Sequence, residues 1–167
     1  MTTETQEPVE MGTKPAKEHE WLQNLVGEWR VETDMMMGPG QPTAHIEGTE
    51  TVKSLAGLWA FSEAKINLPG AAPMELYKTL GYDVSFKEYR GCWFASMSSH
   101  LWTQAGTLSA DGKVMTLDCV GPSMTKDGET NYREVIEIID ENRRTLTAYD
   151  ADNGEWEQYL KSTYTRI

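Results

Sequence analysis

The chain of 167 residues is 39% apolar, with six tryptophans and seven tyrosines. That length suits one domain, which buries about two-thirds of the surface its unfolded chain exposes and needs neither metal nor disulfide to fold. A net charge of -11 sets the surface against phosphate backbones and anionic headgroups, and a mean hydropathy of -0.54 leaves no stretch to span a bilayer. Nucleic acid and membrane are therefore not expected as partners.

Residues 1–16 are rich in Thr, Glu, Gln and Pro with almost nothing to bury, the composition of a disordered or loosely attached tail. Residues 1–20 contain no apolar run of the secretory kind, which points to a cytoplasmic protein. The domain itself is expected over 17–167. From Lys17 to Val26, the residues Trp21, Leu22 and Leu25 fall at i, i+1 and i+4, the spacing of about two turns of amphipathic helix.

After Gly27 the period changes to two. Trp29, Val31, Thr33, Met35 and Met37 share one face, while Arg30, Glu32 and Asp34 share the other. A Gly- and Pro-rich stretch over 38–42 ends that strand, and turn residues recur at Gly57, Pro69-Gly70, Asp111-Gly112, Asp127-Gly128, Glu141-Asn142 and Asp152-Asn153-Gly154. Between them lie strands near 43–55, 58–68, 74–84, 88–97, 102–109, 113–120, 129–139, 143–150 and 154–165. Gly48 interrupts the alternation of 43–55 and marks a candidate bulge. No helix-period segment follows Gly27, so hairpins join the strands. The expected fold is all-β: a single antiparallel up-and-down barrel of about ten strands with a short N-terminal helix.

The helix followed by Leu25-Val26-Gly27-Glu28-Trp29 resembles the Gly-x-Trp opening of the lipocalin-like, or calycin, superfamily. In that superfamily a short helix closes the barrel floor, the first-strand Trp packs inside, and a basic residue of the last strand lies across it; the resemblance implies these structural roles for Trp29 and Arg166. The ordered string Gly27-Glu28-Trp29, Gly81-Tyr82-Asp83, Cys92-Trp93-Phe94, Gly106-Thr107 and Tyr164-x-Arg166 is similar to the bacterial DUF1579 family, from about His19 to Arg166. That family has no known function, so the resemblance implies a fold and no activity. The haem-binding nitrobindin-like barrels use a histidine on a late strand, whereas this chain has none after His100. Haem is not expected.

Chemistry-bearing residues are sparse. His19, His45 and His100 show no metal-pair spacing, the serines beside His100 lack a strained nucleophile turn, and no Gly-rich phosphate loop occurs, so neither metal nor cofactor is expected. Cys92 and Cys119 sit in apolar runs and read as small core hydrophobes. Polar residues that share parity with large apolar ones are candidates for a lumen: Glu63 and Lys65 with Trp59 and Phe61, and Glu134 with Tyr132; the alternative is that these faces point outward, with Trp59 or Tyr132 covered by the tail or a partner chain.

The leading functional expectation is a barrel that binds a small, largely apolar molecule. Its lumen walls would be Met35, Met37, Trp59, Phe61, Trp93, Trp102 and Tyr132, with Glu63, Lys65 or Glu134 at a polar end. The alternatives are an enzyme using lumen carboxylates on a small carbonyl or ester substrate, and a protein interaction module, for which a homodimer is left open.

Overall fold

The computed structural model describes residues 12–38 and 40–167. The expected tail lies largely outside the described residues. Lys17–Asn24 forms a 3-10 helix rather than the two α-turns that the i, i+1, i+4 spacing suggests. The ten strands that follow are β1 (Gly27–Met35), β2 (Ala44–Leu55), β3 (Trp59–Asn67), β4 (Met74–Asp83), β5 (Glu88–Ala95), β6 (Trp102–Leu108), β7 (Val114–Pro122), β8 (Glu129–Asp140), β9 (Arg143–Asp150) and β10 (Glu157–Arg166). Each pairs antiparallel with the next, and β1 pairs with β10, closing a barrel. Among the described residues no helix is long and apolar enough to cross a membrane.

The register of β2 runs unbroken through Gly48 on both sides, so the expected bulge is absent there. Glycine is needed for a different reason. A Cβ at Gly48 would sit 2.4 Å from the Lys65 carbonyl oxygen, so the two strands touch backbone to backbone. Register shifts occur instead at Gln158/Leu160 in β10 and Ile138/Asp140 in β8.

Hairpins between even and odd strands and the 3-10 helix gather at one end. There Trp21, Leu22 and Leu25 pack with Trp29, Val52, Leu80, Tyr89, Met115, Leu117 and Ile136 as a filled core. Polar ends of the large rings are satisfied within this floor: the Trp29 indole donates to the Leu25 carbonyl at 2.9 Å, the Trp21 indole to Gly112 at 2.9 Å, and the Tyr89 hydroxyl to Glu18 at 2.7 Å. The loops after β1, β3, β5, β7 and β9 lie at the opposite end, where no helix of the described residues covers the barrel.

Candidate functional site

Above the floor the barrel is hollow. A cavity of about 460 Å³ runs up the axis, within the range of roughly 300–1,000 Å³ found for small-molecule sites. Small inward side chains create it: Ala60, Ser62 and Ala64 on β3, Ala95 on β5 and Ala148 on β9. Aliphatic residues such as Val31, Ile46, Leu76, Ile136 and Leu146 form most of the wall. At the uncovered end Met35, Met74, Met97 and Met124 ring the mouth, with Met97 and Met124 exposed. Thioethers there give an adaptable apolar rim.

One wall is aromatic. Trp93 and Trp102 are cross-strand partners whose rings stack 5.0 Å apart at 4°, and Tyr132 meets Trp102 edge-on at 5.0 Å. Both indole N–H groups are buried without an acceptor among the described residues. The Tyr132 hydroxyl donates to the Pro122 carbonyl at 2.6 Å, and burial, aided by the nearby Asp152 and Asp150 charges, pushes its pKa up to about 12. His100 lies edge-on against Trp102 at 4.7 Å.

Two ion pairs sit inside. Lys78 of β4 donates across the lumen to Glu134 of β8. Deeper, Arg144 of β9 donates to Glu50 of β2, the Ser62 hydroxyl donates to the other Glu50 oxygen at 2.5 Å, and the guanidinium lies 3.7 Å over the Tyr164 ring. Burial raises the pKa of Tyr164 and of Tyr159, and the Glu134 charge adds to the rise at Tyr159, so both phenols stay neutral. Burial likewise lifts Cys119 to about 11, which keeps this thiol protonated at neutral pH.

Of the expected lumen residues, Met35, Trp93, Trp102, Tyr132 and Glu134 face the cavity. Five others do not, and four of them correct the expected parity of β3. Trp59 and Phe61 lie on the outer wall, where Phe61, Tyr77 and Phe94 form a stripe of rings with the latter two stacked at 5.5 Å. Glu63 and Lys65 also face outward, beside Thr49, Thr51, Glu75 and Tyr77 in a shallow groove. On β3 the alternation turns Ala60, Ser62, Ala64 and Ile66 inward and Trp59, Phe61, Glu63 and Lys65 outward. Met37 is exposed in the loop after β1, outside the cavity wall.

Lys78, Glu50 and Arg144 were not singled out from the sequence. The signal was present in the alternation, since Lys78 shares parity with Met74, Leu76 and Leu80, as Arg144 does with Leu146 and Ala148. Of the carboxylates that acid/base catalysis would use, Glu63 is outside and Glu134 is held by Lys78. Outside the lumen, Glu32, His45 and Glu47 bring three potential metal-ligand atoms within 4.8 Å, with His45 Nδ1 hydrogen-bonded to Asp34 at 2.9 Å. Only one histidine takes part, so histidine spacing gave no sign of it.

The family model DUF1579, a protein of unknown function, matches residues 14–166. No curated protein matches the chain. Among solved structures, Rv2717c from M. tuberculosis superposes with a TM-score of 0.64 at 13% identity, covering 91% of this chain and 98% of that one. The redesigned β-barrel mFAP0, solved bound to DFHBI, gives 0.48 at 11% identity over 86% and 100% of the two chains. At such identities the likeness to Rv2717c is one of fold.

Proposed function

Because the chain belongs to the DUF1579 family, itself of unknown function, we propose a role from the site alone: a barrel that binds a small, largely apolar molecule in its lumen. One observation carries the reading, namely an apolar cavity of about 460 Å³ left unfilled by its own side chains and open at a methionine-rimmed mouth. The calycin-like kinship of the barrel belongs to the same proposal, supported by the packing of Arg166 on Trp29. In this reading Met35, Trp93, Trp102 and Tyr132 supply wall, and Glu134 belongs to the polar station within it.

The test is uptake of N-phenyl-1-naphthylamine, an uncharged fluorophore. Its emission rises on entering a dry cavity while that of Trp93 and Trp102 falls, and a bound ligand at a hundredfold excess over its dissociation constant stabilises the fold by about 2.7 kcal/mol. Native mass spectrometry of protein purified from its host then reports the resident ligand as added mass. A probe that leaves emission and melting temperature unchanged, with no added mass, argues against a binding lumen.

A further inference from the structure

The charges of the lumen cancel. Among the described residues its wall carries two acids, Glu50 and Glu134, and two bases, Lys78 and Arg144, with each base closed on an acid. The pairs differ in access. Arg144 is sealed near the floor with its side chain 4% exposed, under the rings of Tyr164 and Trp29. Lys78–Glu134 crosses the cavity, and 14% of each side chain remains accessible, so this is the pair that an incoming molecule meets.

In such a setting an ionic guest is penalised whichever sign it has. A carboxylate at Lys78 either displaces Glu134, leaving it uncompensated among aliphatic walls, or adds a second buried anion beside it with one ammonium to share; an ammonium drawn to Glu134 meets the mirror-image cost at Lys78. A hydroxyl or carbonyl oxygen accepts from the Lys78 ammonium while the pair stays closed. The flanking residues point the same way. Trp93 is in register with Lys78 and Trp102 with Trp93, so uncharged aromatic wall flanks the bridge. The net charge of -11 further opposes anions at the mouth.

We propose that the lumen selects an uncharged amphiphile, an apolar body bearing a hydroxyl or carbonyl oxygen seated at the Lys78–Glu134 bridge, and rejects its carboxylate and ammonium counterparts. This rests on the binding function proposed above. The experiment is displacement of N-phenyl-1-naphthylamine from the full chain by 1-decanol, decanoate, decylammonium and decane at neutral pH. Decanol should compete at concentrations lower by about tenfold or more than either ion, and below decane as well. In the Glu134→Gln variant, which frees Lys78, decanoate should gain about tenfold and overtake decanol. If that variant does not fold, the wild-type series decides alone.

Decanoate displacing the probe as well as decanol does, or decane matching decanol, would overturn the selection while leaving a binding lumen in place. Failure of the probe and of all four decyl compounds to bind would remove the lumen function itself, and this inference with it.

Discussion

The Arg166 guanidinium lies 4.2 Å from the Trp29 ring centroid, and these two residues are also Cα partners where β10 meets β1. Its Nη1 donates to the Val26 carbonyl at 2.6 Å and its Nε to Glu141 at 3.0 Å, so one side chain ties the last strand, the helix exit and the β8–β9 turn. Gly27 makes room for it: at φ +137° a Cβ there would fall 2.2 Å from Nη1. Arg166→Ala should cost about 1–3 kcal/mol through lost packing and unsatisfied carbonyls. A urea midpoint equal to that of wild type would show the contact to be idle. Gly27→Ala should be less damaging in the Arg166→Ala background than in wild type.

The Lys78–Glu134 pair should show the asymmetry of buried ions. Lys78→Met leaves a carboxylate stranded in the lumen and should destabilise by about 3–5 kcal/mol, whereas Lys78→Met combined with Glu134→Leu should recover most of that loss. The four urea midpoints form a double-mutant cycle. A double variant that loses the sum of the two single losses would mean that the two side chains are not coupled.

The mouth should loosen in acid. Asp152 receives the Thr125 hydroxyl at 2.7 Å and the Ser123 hydroxyl at 2.8 Å, joining the β7–β8 loop, which carries Met124, to the β9–β10 loop. The Thr125 bond above all, then those of Ser123 and Thr130 and the Lys126 charge, hold its pKa below the usual carboxylate range, against an opposing effect of burial. A depressed folded pKa gives stability that is present above the unfolded value of about 3.9 and lost as pH falls through the folded one. Amide exchange in 123–128 and 151–156 should therefore accelerate as pH is lowered below about 4, beyond the intrinsic trend. In Asp152→Asn that acceleration should vanish.

Volume inside β3 should govern binding. Ala64→Leu adds bulk to the cavity wall and should weaken uptake of the naphthylamine probe severalfold, while Trp59→Ser, on the outer face, should leave it unchanged. Titration of the probe against both variants, each checked for intact circular dichroism, reads the difference. Loss of uptake in the Trp59 variant would place the probe on the outer aromatic stripe.

The architecture was legible because the strand period and the Gly- and Asp-bearing turns are local signals, and near-neighbour hairpins leave few topologies. Trp29 and Arg166 were legible through a family pattern whose ends meet in space. Inward parity on β3 was not. The rule that large apolar residues point inward describes a filled core, whereas here β3 turns Ala60, Ser62 and Ala64 inward and leaves the interior unfilled. The same blindness applies to partners: Lys78 and Glu134 lie on strands far apart in sequence, and nothing local says that they meet.

The closure of β1 on β10 also bears on how the chain reaches this state. Nine of the ten strand pairings join sequence neighbours and can zip up hairpin by hairpin, but the tenth joins elements at opposite ends of the domain. Its loop-closure entropy is the largest of all and is met last, when both flanking strands still present unpaired edges. The slow step of folding should therefore be the seating of β10 against β1, and the open barrel that precedes it is the species most prone to recruit a second chain along those edges.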